Sequence, residues 1–249
     1  MRLKIIACKV LQREIAHIAS SCENYIDMTF MRQSLHNDPV ALQKAMQEEI
    51  DKIESGEDLH TTDTYVGDFD AVLIGYGLCS NGILNLTSKK YKLIVPRAHD
   101  CMTLYLGSKE RYKEYFNATP GIYWYNAGWI ENAALPEKYP REKLLLEYTE
   151  IYGEENAEYL VEMEYKWMEN YKSLTYINMP FLKRDELKDF SRNAAVKYGW
   201  SFDEMDGDMS LLSDMLNGNW DNERFLIVLP GEKVLVSYDD RIVISGKQD

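Results

Sequence analysis

The sequence predicts an α/β fold: a mostly parallel, Rossmann-like sheet with helices on both faces and a carboxyl-terminal β-hairpin. Three observations predict it. Near-continuous Val/Ile/Leu runs recur at Leu3–Ala7, Phe69–Gly75 and Tyr91–Val95, the composition of strands buried on both faces. Apolar residues at helical spacing fill the intervals between such runs. Strand and helix patterns alternate along the chain, as parallel sheets require.

The elements follow in order. Leu3–Ala7 leads into helical spacing over Val10–Ile18, and Tyr25–Met31 has strand composition. Asp38-Pro39 opens a helix, with Asp at the cap and Pro in the first turn, and Leu42, Met46, Ile50 and Ile53 follow at helical spacing. Ser55–Gly67 is polar and rich in Gly, Asp and Thr, which reads as a loop. Phe69–Gly75 is a strand ending in glycine, and Tyr91–Val95 is another, stopped by Pro96. Helices are expected at Cys101–Leu106 and Lys109–Phe116, then a strand at Ile122–Tyr125 after the Pro120-Gly121 turn. Pro140–Lys172 is helical, acidic and Tyr-rich, broken at Gly153. Leu174–Met179 is a strand, Asp185–Tyr198 a helix, and Met209–Leu216 a helix stopped by Gly218. Phe225–Leu229 closes the alternation, and Val234–Ser237 with Arg241–Ser245 forms the hairpin.

At 249 residues the chain fits a single α/β domain, 1–249, with the helices of 140–172 as a candidate insertion. It has no internal repeat. Gly67 and Pro140 are the places where a boundary could fall, and neither has linker composition.

A net charge of −13 argues against a nucleic-acid partner, because phosphate neutralisation needs clustered Lys and Arg. It argues equally against an anionic membrane surface. No stretch approaches the roughly 18 apolar residues of a transmembrane helix, and the amino terminus lacks a signal-peptide pattern. Four cysteines are too few for a disulfide scaffold at this length, so the expectation is a cytoplasmic protein with available thiols.

Those thiols fall at one place in the predicted topology. Ligands bind outside the carboxyl ends of parallel strands. Cys8 follows the first strand, Cys79 lies in the loop Gly75-Tyr76-Gly77-Leu78-Cys79-Ser80-Asn81-Gly82, and His99 and Cys101 lie in Pro96-Arg97-Ala98-His99-Asp100-Cys101. His36 sits just beyond the second strand. Thiolate and imidazole donors suit a transition metal, zinc before others, in a tetrahedral shell. With His99 as fourth ligand the shell is closed and structural; with His99 beside it, one position opens for a substrate. Asp100 could orient an imidazole, and Arg97 could offset thiolate charge or clamp an anion. Two other readings stand beside this one: inert buried cysteines, or a reactive thiol without metal. Cys22 reads as structural, and His17 and His60 as surface residues.

Gly77, Asn81 and Gly82 make the Cys79 loop compact, and with Arg97 they are the candidate cofactor-binding positions. A tight strand-to-helix turn explains the same glycines. The pattern is not the dinucleotide fingerprint GxGxxG. Tyr123-Trp124-Tyr125 and Trp129 could wall a ligand pocket or simply pack. The acidic helices after Pro140 read as a solvated face, or as cover for a protein partner.

Tyr76–Gly82, Pro96–Cys101, Leu106-Gly107-Ser108, Pro120–Tyr123, Gly128-Trp129, Leu35-His36 and Gly218-Asn219-Trp220 together resemble the family called domain of unknown function 1638. The resemblance covers nearly the whole chain and brings no established activity. It implies a setting in corrinoid-dependent methyl transfer, and in similar proteins the position of His99 alternates with Asp. The His-x-Cys pair with a distant Cys is also similar to the zinc centre of thiol-alkylating methyltransferases. Those are barrels, and this chain lacks eight βα repeats, so that likeness is one of donor chemistry alone. The expected function is a metal-thiolate protein acting on a small molecule, by methyl or thiol transfer. The alternatives are a carrier or chaperone of a corrinoid, metal or iron–sulfur cluster, and a regulatory partner of a methyltransferase.

Overall fold

The computed structural model describes residues 1–58, 68–137 and 141–247. In chain order its elements are β1 (Arg2–Cys8), α1 (Gln12–Ala19), β2 (Tyr25–Met31), α2 (Pro39–Ser55), β3 (Ala71–Gly75), β4 (Leu93–Pro96), α3 (Cys101–Leu106) and α4 (Lys109–Ala118). There follow β5 (Ile122–Tyr125), α5 (Ala127–Asn132), α6 (Arg141–Tyr152), α7 (Glu154–Lys166), β6 (Ser173–Asn178), α8 (Asp185–Tyr198), β7 (Ser201–Asp206), α9 (Ser210–Asn217), β8 (Phe225–Val228), β9 (Glu232–Val236) and β10 (Val243–Lys247). The fold is mixed α/β with a mostly parallel central sheet and a carboxyl-terminal antiparallel hairpin, β9–β10, as the sequence predicts. Most of the loop read over Ser55–Gly67, with His60, and the boundaries read at Gly67 and Pro140 fall on residues 59–67 and 138–140, outside the described residues.

The residues group into two compact units. The first comprises Met1–Tyr112 and Gly207–Asp249. Its sheet has the order β2-β1-β3-β4-β8, parallel except for the β4–β8 pair. Every residue of β1, β3 and β4 is buried, which explains why their runs are continuous rather than alternating. Leu42, Met46, Ile50 and Ile53 are the buried stripe of α2, and the Asp38 carboxylate caps it by accepting from the amides of Val40 (3.1 Å) and Ala41 (3.0 Å).

The second unit, Lys113–Asp206, carries its own three-stranded parallel sheet, β5-β6-β7. Its core gathers Tyr125, Ile130, Leu135, Leu174, Tyr176, Ala194 and Ala195 under α8. The strands thus divide between two sheets. The alternation of elements does not distinguish one sheet from two, because β5, β6 and β7 pair among themselves with the same local pattern. Strand β7, Ser-Phe-Asp-Glu-Met-Asp, has no apolar run and no fully buried residue, so it is not evident in the sequence. Among the described residues no helix is long and apolar enough to cross a membrane.

Candidate functional site

In the first sheet the chain runs from β1 to β2 on one side and returns to β3 on the other, so β1 and β3 flank a topological switch point. The parallel strands β1, β3 and β4 end at the same edge, and each delivers a cysteine there. Cys8 is the last residue of β1. Gly75 ends β3 opposite Ala7, and a Cβ on it would stand 2.4 Å from the Cβ of Ala7, so a side chain at this crossing is excluded. Beyond it the Cys79 loop lies flat on the loop after β4. The amide of Leu78 donates to the carbonyl of Ala98 (2.8 Å) and that of Cys79 to the carbonyl of His99 (3.0 Å). Gly77 makes this approach possible, because a Cβ there would lie 2.7 Å from the backbone of Asp100.

Cys101 opens α3. Asp100 caps that helix, accepting from the amides of Met102 (3.0 Å) and Thr103 (3.3 Å), and its second oxygen accepts from the Tyr112 hydroxyl (3.0 Å). Across the gap, Cys79, Ser80 and Asn81 have φ of 44°, 57° and 72°. Three successive non-glycine residues in the left-handed region cost roughly 1–2 kcal/mol each, least for Asn, and such strain concentrates at functional sites.

The three thiols are near enough to act on one another. Burial raises the pKa of Cys79 to about 12, helped by the negative charge of Asp100 and by Cys8. Burial holds Cys101 well above the ordinary thiol value, with Cys79, Asp100 and Cys8 adding to the effect. Burial also raises Cys8, against the amides of Val10 and Lys9 and the Tyr76 hydroxyl, which favour its thiolate. Tyr76 is the residue that sequence reasoning missed. It is 2% exposed, and its pKa is raised by burial and then by Cys8, Cys79 and Cys101 in turn. Its hydroxyl faces the Cys8 thiol but reaches no partner in hydrogen-bond geometry. Only the position of Tyr76, directly after a buried strand and between two glycines, could have signalled it.

The other predicted residues are placed as follows. The imidazole of His99 is exposed and acts on Asp100, whose pKa is raised by burial and partly restored by its hydrogen bonds and by His99. The Arg97 guanidinium donates to the backbone carbonyls of Asn222 (2.9 Å), Arg241 (2.8 Å) and Val243, so it fastens the carboxyl-terminal segment. The Gly82 amide donates to the carbonyl of Cys79 (3.1 Å), closing the turn, and Asn81 is exposed. His36 meets Gln33 across 2.7 Å within a 3₁₀ turn, and the Cys22 thiol donates to the carbonyl of Leu216 (3.4 Å). Trp124 is buried against Tyr115. Among the described residues no group of three or more His, Cys, Asp or Glu side chains stands in position to hold a metal ion.

The raised thiols carry a stability prediction for the metal-free protein. The folded state keeps the Cys79 proton after the unfolded chain has lost its own. The stabilisation is therefore complete below about pH 9 and is lost as pH rises toward about 12. The slope approaches about 1.4 kcal/mol per pH unit for each thiol. Urea unfolding across alkaline pH should show this decline, shallower in Cys79→Ala. An identical slope in the variant would detach the effect from this thiol.

No curated protein and no solved structure matches the chain. One family does. The pattern described as "Protein of unknown function (DUF1638)" matches residues 30–216, a span that includes Cys79, His99 and Cys101 and leaves Cys8 outside. The chain belongs to the DUF1638 family.

Proposed function

We propose that the carboxyl edge of the first sheet is a metal-thiolate centre held by Cys8, Cys79 and Cys101, at which a small molecule is activated for thiol or methyl transfer. The observation that carries this reading is the mutual electrostatics of the thiols. Each is raised by burial, Cys79 and Cys101 also by their neighbours: Cys79 most by the negative charge of Asp100, and Cys101 most by Cys79 and then by Asp100. Three thiolates can coexist there only against a cation, and a soft or borderline metal is the cation that thiolates select.

The donor chemistry fits such a metal, and zinc is the expected ion. When bound, the metal lowers the pKa of a thiol and presents it as a nucleophile. The remaining work belongs to this chain. The buried Tyr76 hydroxyl faces the Cys8 sulfur, Asp100 fixes the first turn of α3 and with it Cys101, and His99 acts on Asp100 from solvent. The link to corrinoid-dependent methyl transfer rests on the resemblance of the motifs alone.

Elemental analysis and a visible spectrum of anaerobically purified protein test the proposal. The expected result is about one equivalent of zinc per chain, lost in Cys79→Ser. Less than about a tenth of an equivalent of any transition metal, unchanged in the variant, overturns it. Iron–sulfur or cobalt absorption bands in place of zinc would overturn the zinc assignment and favour a carrier.

A further inference from the structure

The second unit contains a cavity of about 220 Å³, against about 30 Å³ for one water in the liquid. Leu135, Pro136, Leu144, Glu164, Tyr165 and Trp167 line it. Its walls are apolar and aromatic, and Trp167 is braced from behind: its ring lies 5.5 Å from Tyr123 and 5.5 Å from Tyr171, the latter edge to face. Tyr123 and Tyr171 in turn pack on Trp200 at 5.6 Å and 5.8 Å. The aromatic wall is therefore rigid.

The charge around this wall is negative. Glu164 lines the cavity, and Glu137 is the residue after Pro136. Among the described residues neither carboxylate has an ion-pair partner. Glu137 accepts from the Tyr125 hydroxyl (2.7 Å) through one oxygen, while its other oxygen is buried and has no partner in hydrogen-bond geometry. The Tyr198 hydroxyl faces the same carboxylate. Tyr165, in the cavity wall, has its pKa raised by burial, then by Glu142 and Glu137, with Arg141 opposing and Glu164 adding. Among the described residues the charges acting on Tyr165 are three carboxylates and one guanidinium.

We infer that this cavity binds a small alkylated ammonium ion, its methyl groups against Trp167 and Tyr165 and its charge balanced by Glu164 and Glu137. An aromatic face attracts a cation through its quadrupole, and a tetraalkylated one loses little hydration on entering. A neutral apolar ligand would gain the same burial and leave the carboxylates without a counter-charge. A bare metal ion would gain nothing from the aromatic wall. The inference is independent of the thiol centre, since every residue it uses lies in Lys113–Asp206.

The test compares choline with its uncharged carbon isostere, 3,3-dimethylbutanol, by tryptophan fluorescence and by NMR titration of the full chain. Choline is expected to saturate, and the isostere to bind at least about tenfold more weakly. Glu164→Gln, exposed and nearly isosteric, should weaken choline severalfold and leave the isostere unchanged. Trp167→Ala should abolish both, with Tyr165→Leu as the milder variant if the first fails to fold. Equal binding of the two probes would overturn the inference in favour of an apolar pocket. No saturable choline signal at about 10 mM would overturn it outright.

Discussion

Lys4→Met is expected to destabilise the protein by about 3–5 kcal/mol, the largest effect of any single replacement outside the core hydrocarbon. Lys4 is 0% exposed in the middle of β1. The parallel register sets it opposite Asp27 of β2, and its ammonium reaches Asp27 at 2.7 Å and Asp58 at 2.6 Å. One buried cation thus serves two buried carboxylates. Methionine keeps the length of the side chain and removes the charge, which leaves two desolvated carboxylates side by side. Urea unfolding of the single variant measures the loss. The triple replacement Lys4→Met, Asp27→Asn, Asp58→Asn should recover a large part of it, because it also removes the two buried negative charges that Lys4 offsets. A loss below about 1 kcal/mol in the single variant would mean that water reaches the triad.

Gly77→Ala is expected to cost about 2–3 kcal/mol and to displace Cys79. The added methyl would stand 2.7–2.8 Å from three backbone atoms of Asp100, and backbone cannot step aside as a side chain can. The loops would have to part, and the hydrogen bonds from Leu78 and Cys79 to Ala98 and His99 would lengthen with them. Gly82→Ala, in the same loop, is the comparison. Its methyl would meet the buried Leu42 side chain, 2.5 Å from the nearest methyl, and would stand 3.2 Å from the Cys79 carbonyl oxygen, a looser backbone approach than at Gly77. That replacement should lose only about 1 kcal/mol. Equal losses from the two replacements would show that the close approach at Gly77 does not constrain the loops. Thiol alkylation of Cys79, read by mass spectrometry, reports the displacement independently of stability.

Much of this architecture is legible in the residues because burial writes it there. Strands β1, β3 and β4 are buried throughout and appear as unbroken apolar runs, and α2 announces itself through Asp38-Pro39 and a four-residue stripe. The gathering of Cys8, Cys79 and Cys101 follows from those strands alone, since adjacent parallel strands end at one edge. What could not be read has equally physical causes. Strand β7 is polar and half exposed, so neither period nor composition marks it. The division into β5-β6-β7 and the larger sheet depends on pairing between distant segments, which local pattern does not encode. Arg97 looked like an anion clamp beside His99, but its guanidinium is committed to carbonyls far along the chain at Asn222, Arg241 and Val243. The sequence assigns Tyr76 no role of its own, and its bearing on the thiols emerges only from its burial.

The first unit is made of two stretches of chain, Met1–Tyr112 and Gly207–Asp249, and β8 pairs with β4 from the far side of that interruption. On a ribosome β4 emerges long before β8, the strand that pairs with its outer side. At roughly 5–20 residues per second, β4 waits on the order of ten seconds for its neighbour. Throughout that interval its free backbone can recruit another nascent chain. Synthesis rate therefore enters into how many copies mature correctly.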